Sequence, residues 1–315
     1  MKTGRWLLVA AAALVALLVL GWLAPRVVLD GYFAALRVGA GAERHQRVIG
    51  DHAWVWLESG AGPPVLLLHG FTGMKENWLP LVGDLAQDFR VIAPDLPGWG
   101  ASERVDGADY GYAAQAQRLQ EYIEALALQE VVLVGHSMGG GIAALVAAAD
   151  ATASPPRLRA LVLMDASGAQ FEANAFGREV LRGGHPFAVA DAEDLRHYLA
   201  LVFADPPWVP WPLSRAMVQR RIADRRFEQD VLSAISRSDA AFAPQQAAAA
   251  VQVPTLLLWC RDDRVIDASA ADSYAVALGA RLHGSELLQG CNHMPMMERP
   301  AAVAAALRRF IEGLR

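Results

Sequence analysis

The sequence predicts an α/β domain on a mostly parallel sheet of eight strands flanked by helices, with a helical insertion. Three observations carry that expectation. Short apolar runs recur at residues 65–68, 90–93, 131–134, 160–164, 255–259 and 285–288, with helical patterns between most of them. Continuous apolar strands alternating with helices mean strands covered on both faces, which is the parallel sheet of an α/β fold. The rhythm stops between Gly168 and Val253, where helical segments and Pro-rich turns appear without a strand run. Finally, Gly135-His136-Ser137-Met138-Gly139 sits directly between an apolar strand and an Ala-rich helix.

In chain order, residues 6–24 hold no charge and no proline and are rich in Ala and Leu. That length and composition read as a membrane helix, with Trp6 and Trp22 at the depths where amphipathic rings prefer the interface. Lys2 and Arg5 precede the run and Arg26 follows it. A cleavable signal peptide is the rival reading, but Trp22 and Pro25 around Ala24 make a poor small-residue cleavage pattern. The expected organisation is an anchor at 1–25, a connecting helix or linker at 26–45, a core at 46–168 and 245–315, and a helical cap at 169–244. Within the core, the alternation at residues 47–58 predicts antiparallel edge strands. Within the cap, the prolines of Asp205-Pro-Pro-Trp-Val-Pro-Trp-Pro212 break any helix or central strand. Trp208 and Trp211 are read first as cap core or hinge packing, and second as contacts with an acyl chain or the membrane interface.

The formal charge of -5, without a long basic stretch, argues against a nucleic-acid partner. The two cysteines, Cys260 and Cys291, lack metal-ligand spacing, so no metal site is expected. Both are read as unpaired buried thiols, a bridge being conceivable because each follows a strand.

A nucleophile held between strand and helix points to acyl transfer. The tight turn needs small residues on either side of Ser137, and the helix N-terminus behind it favours developing negative charge. A serine hydroxyl needs a base, and His293, in Gly290-Cys-Asn-His-Met after the last apolar run, stands where the loop can deliver one. The base needs a carboxylate to orient it. Asp262 and Asp263 both follow the run at 255–259, and Asp165, at the end of the preceding run, is a third candidate. Two backbone donors should complete an oxyanion hole, from Met138 after the nucleophile and from Phe71 in the loop after residue 68. His69 and the turn at residues 95–102, including Asp95, are read as structural.

Taken together, His69-Gly70-Phe71, the turn at 95–102, the Ser137 elbow, Trp259-Cys-Arg-Asp-Asp-Arg-Val265 and Gly290-Cys-Asn-His-Met-Pro-Met-Met-Glu-Arg-Pro300 resemble the α/β-hydrolase lipases. The resemblance covers residues 48–314. It is nearest to membrane-anchored monoacylglycerol lipases of the α/β-hydrolase-domain family and to bacterial lipases of the Moraxella type. It implies an α/β-hydrolase fold, acylglycerol or simple ester substrates and no cofactor, and it selects Asp263 as the acid. Many members carry Gly where Cys260 and Asn292 stand here. The fold also hosts carbon–carbon hydrolases of diketones, so a cap-bearing hydrolase of another bond is the alternative. The expected place is a bacterial inner membrane with the catalytic domain outside the cytoplasm.

Overall fold

The computed structural model describes residues 2–237 and 239–314; Met1, the first residue of the expected anchor, lies outside them. Eight strands form one sheet: β1 (Glu43–Ile49), β2 (His52–Ser59), β3 (Pro64–Leu68), β4 (Arg90–Pro94), β5 (Val131–His136), β6 (Leu158–Met164), β7 (Thr255–Cys260) and β8 (Leu282–Leu288). Their spatial order is β1-β2-β4-β3-β5-β6-β7-β8. β2 runs antiparallel to β1 and to β4, and the pairings from β4 to β8 are parallel. The two strands at residues 43–59 account for the alternation read in the sequence, the first beginning at Glu43, before the expected start. Side chains of β5 and β7 are buried throughout, whereas β8 at the edge alternates half-buried and exposed. This difference is why the central runs read as continuous and the edges do not.

Helices α1 (Lys2–Leu23) and α2 (Pro25–Gly39) precede the sheet, and α3 (Leu79–Leu85), α4 (Tyr112–Ala125) and α5 (Met138–Asp150) connect its strands. Between β6 and β7 stand α6 (Ala175–Leu181), α7 (Ala192–Val202), α8 (Leu213–Ser236) and the short α9 (Ala243–Ala248). The chain closes with α10 (Ser269–Leu278), α11 (Pro295–Glu298) and α12 (Pro300–Gly313). Pro25 and Pro300 open their helices at a position where a missing N–H costs nothing.

Residues Arg5–Leu23 of α1 are long and apolar enough to cross a membrane, and only 7% of that window is buried. The end of α1 leans on the Pro/Trp loop before α8. A Cβ on Gly21 would lie 2.7 Å from Pro212 Cγ, and the Arg215 guanidinium stacks 4.4 Å from the Trp22 ring centroid. The linker expected at 26–45 is mostly helix α2, which is pinned from its far end. Arg37 donates to Glu76 at 3.0 Å, Glu76 also accepts from Lys75, and Lys75 donates to buried Asp95 at 2.6 Å.

Two expectations are corrected. Cys260 and Cys291 are joined in a disulfide, with Cα atoms 5.5 Å apart. The reason is register: Cys260 ends β7 opposite Leu288, the last residue of β8, so the chain leaving β8 passes beside it. Trp208, read first as core or hinge packing, is 85% exposed, and Trp211 is 42% exposed against the end of α1. A loop with four prolines between Pro206 and Pro212 carries too little regular structure to fold both rings inward.

Candidate active site

The site forms where the carboxyl ends of β5, β7 and β8 meet. Ser137 adopts φ 50° and ψ -120°, the strained turn between β5 and α5. Glycines make that turn possible: a Cβ on Gly135 would lie 2.3 Å from the Gly139 carbonyl oxygen, and one on Gly139 would lie 2.5 Å from that of His69. Three N–H groups, of Gly140, Gly141 and Ser167, donate to the Ser137 carbonyl and fix the turn.

His293 arrives on the loop after β8, with Nε2 at 3.0 Å from Ser137 Oγ and Nδ1 at 2.8 Å from Asp263 Oδ2. Nδ1–H donating to the carboxylate leaves Nε2 as the acceptor of the serine proton. Asp263 Oδ1 accepts from the N–H of Val265 at 2.7 Å and of Ile266 at 3.0 Å. All three side chains are buried. Burial lowers the His293 imidazole to about 3, opposed by the Glu298 charge, which keeps the resting ring neutral and able to take a proton.

Of the other acid candidates, Asp262 is exposed, while Asp165 is buried close behind the pair. Ligating atoms of Asp165, Asp263 and His293 lie within 4.8 Å of one another, but both His293 nitrogens already serve Asp263 and Ser137. His69 lies outside the hydrogen-bonded chain. Its Nδ1 donates to the Gly70 carbonyl, and its Nε2 accepts from Leu96 N–H, which braces the Phe71 loop against the turn at 95–102. Asp95 takes the N–H groups of Lys75 and Ala101 besides the Lys75 ammonium, so its charge organises backbone. Met138 opens α5, where the first N–H groups have no helical acceptor, and Phe71 lines the same cavity as Ser137.

Two residues escaped the sequence reading. His136 donates from Nε2 to the His293 carbonyl at 2.7 Å and faces its ring at 4.9 Å; it sits inside the elbow motif, where only the serine drew notice. Asn292 was noticed only as a departure. Its Oδ1 accepts from Arg264 N–H, and its Nδ2 donates to the Leu201 carbonyl. Leu201 belongs to the last turn of α7, where helix carbonyls lack internal partners. Arg264 side chain, Asn292 side chain and His293 N–H take the carbonyls of Ala200, Leu201 and Val202 in turn. The loops that carry Asp263 and His293 thus cap the end of α7.

Ser137 and Met138 open onto a cavity of ≈ 380 Å³ whose wall is mainly apolar, including Phe176, Val180, Leu232 and Ile235 from α6 and α8. Phe71, Phe187 and Phe176 form a continuous aromatic run along it, with centroids 5.5 and 4.8 Å apart.

A strained serine between strand and helix, bonded to a histidine and carboxylate from later strands of a mostly parallel sheet, defines an α/β hydrolase. Residues 65–306 match the alpha/beta hydrolase family, and the chain belongs to it. The sequence is 29% identical over 265 residues to monoacylglycerol lipase ABHD6 of Homo sapiens, spanning 81% of this chain and 77% of that protein. It is also 29% identical over 259 residues to lipase 3 of Moraxella sp. (strain TA144), spanning 81% and 79%. Among solved structures, a membrane phospholipase A described as a bacterial virulence factor superposes with a TM-score of 0.84 at 30% identity, covering 100% of this chain and 99% of that one.

Proposed function

We propose that the chain is a membrane-anchored serine esterase that cleaves monoacylglycerols or similar lipid esters through an acyl-enzyme on Ser137. Ser137 Oγ attacks the ester carbonyl while His293 Nε2 takes its proton. The oxyanion is held by the N–H groups of Met138 and Phe71, and the imidazolium by Asp263. His293 then protonates the leaving alcohol, and water, activated by the same nitrogen, releases the acid.

The observation that carries this reading is the Ser137–His293–Asp263 hydrogen-bonded chain at the wall of an apolar cavity. A cavity lined by Phe, Val, Leu and Ile suits an acyl chain and offers little to a charged substrate. Helices α6 to α8, within residues 169–244, act as the cap that supplies this wall. Helix α1 acts as the anchor that holds the cap near amphiphiles, and the bridge between Cys260 and Cys291 favours a catalytic domain outside the reducing cytoplasm. The relatives named lipases support the ester as the bond cleaved.

The test uses the detergent-solubilised full chain with monoacylglycerols of graded acyl length and matching p-nitrophenyl esters, alongside a fluorophosphonate probe. Turnover of esters, with probe labelling that disappears in Ser137→Ala, is the expected result. A folded protein that turns over no ester would overturn the proposal.

A further inference from the structure

Asp165 directly follows β6, fully buried, at φ 43°, a region where Asp is tolerated but still strained. Its N–H donates to the Leu258 carbonyl and its Oδ1 accepts from Cys260 N–H at 2.9 Å, while its Oδ2 is buried and meets no donor. A carboxylate oxygen left in that state forfeits its solvation without compensation. The nearest acidic neighbour is Asp263, with ligating atoms of the two within 4.8 Å.

Two carboxylates this close in a dry interior cannot both be ionised, so the pair holds one proton between them. The donors around each decide which keeps it. Asp263 receives three: the N–H groups of Val265 and Ile266, and Nδ1–H of His293. Asp165 receives one. Negative charge settles where donors are many, and the proton where they are few, which also turns the orphan Oδ2 from an unsatisfied acceptor into a donor.

We infer that Asp165 is a positioning residue, a neutral carboxylic acid that donates a hydrogen bond to Asp263 and holds the acid of the triad in place. The inference rests on the role proposed above for Asp263. The other titratable groups facing the pair are His293, Asp267 on the same loop as Asp263, Glu298 on α11, and His136 on β5. None of them supplies a positive charge at rest, since burial and the neighbouring ring lower His136 as well. Burial first, and then the Asp263 charge, accordingly raises the Asp165 carboxyl well above its ordinary value. Cys260, which holds Asp165 Oδ1 through its N–H, is itself tied to the histidine loop by the disulfide, so this contact links three strand ends.

The experiment compares kcat and KM across pH for the wild type, Asp165→Asn and Asp165→Ala, in the detergent-solubilised full chain. The amide of Asn can still accept from Cys260 and donate to Asp263, but has no proton to lose. Asp165→Asn is expected to keep kcat within about threefold, and Asp165→Ala to lose about tenfold or more with KM little changed, as for a lost hydrogen bond to a charged group. The wild type should lose kcat on an alkaline limb as Asp165 ionises beside Asp263, and Asp165→Asn should lack that limb. Equal losses in the two variants, or a limb that persists in Asp165→Asn, would overturn the inference. Carbon-13 NMR of aspartate-labelled protein gives a readout that needs no turnover: one carboxyl protonated at neutral pH, absent from Asp165→Asn. Finding every aspartate carboxyl ionised in the wild type would sink the inference while leaving the esterase reading intact.

Discussion

The ends of β5, β7 and β8 and helix α8 face each other across the same cavity, yet they handle polar groups differently. At the strand ends, Ser137, Asp263 and His293 are each bonded to side chains or backbone within a few tenths of an ångström of ideal distance. Around α8, buried nitrogens lack partners among the described residues: Arg215 Nη1, Arg221 Nε, Arg237 Nε and both ring nitrogens of His185. Arg221 reaches Glu228 at 3.1 Å, and His185 stands 3.7 Å from the same carboxyl without a hydrogen bond. Strand ends fix backbone positions through neighbouring ladders, so a side chain there inherits a rigid frame. Helix α8 meets its surroundings through long arginines whose heads satisfy only part of their donors. The sheet thus carries the ordered hydrogen bonds of the site, while α6 and α8 supply apolar wall opposite them.

The largest effect that would sharpen this contrast is at Ser137, the proposed nucleophile. Ser137→Ala is expected to lower kcat by about 10⁵-fold to 10⁶-fold with an unchanged melting profile, measured on a p-nitrophenyl ester. Next comes the bridge: replacing both cysteines, as Cys260→Ser with Cys291→Ser, removes a link across a sequence separation of 31. A closure of that length contributes about 3 to 4 kcal/mol. Denaturant unfolding should show that loss, with a drop in kcat because the acid and histidine loops lose their tie. Full activity and stability in the double variant would break the claim that the strand ends are the rigid side.

A smaller effect is expected on the α8 side. Ile235→Trp fills part of the cavity and should lower kcat/KM for long-chain monoacylglycerols by about tenfold relative to short-chain esters, a typical value for apolar pocket contacts. The smallest is a pH effect on stability. Burial raises the Glu228 carboxyl to about 7, against the Arg221 charge. The folded chain therefore holds a proton between the ordinary value of 4.5 and 7 that the unfolded chain has released. The stability this group contributes is present below pH 4.5 and is lost as pH rises through 7. Gln does not titrate, so the melting temperature of Glu228→Gln minus that of the wild type should increase from pH 5 to pH 7.5. A difference flat in pH would mean that burial on α8 does not hold the Glu228 carboxyl protonated.

Much of the fold was legible because its signals are local. Apolar runs at 131–134 and 255–259 need only their own composition to declare strands buried on both faces. The elbow is legible for the same reason: Gly135 to Gly139 specify a strained turn within five residues, and its neighbours on either side are the strand and helix it requires. The position of His293 after the last strand follows from chain order. Between Asp262 and Asp263 the residues alone left the choice open, and family resemblance favoured the second. The structure buries that one and exposes the other, because a single-residue step in the loop reverses which side chain faces the histidine.

By itself, then, the sequence determined the strand and helix order, the elbow serine and the apolar helix at the start, each written in contiguous residues. Tertiary structure alone decided that Cys260 meets Cys291, that Asn292 and Arg264 cap α7, that Trp208 stays outside, and that Asp165 lies buried against Asp263. Each of these depends on the register of parallel strands and on how a distant helix end docks. Such contacts join residues far apart in the chain, so their pairing is set by the packing of the whole sheet, which no local pattern encodes.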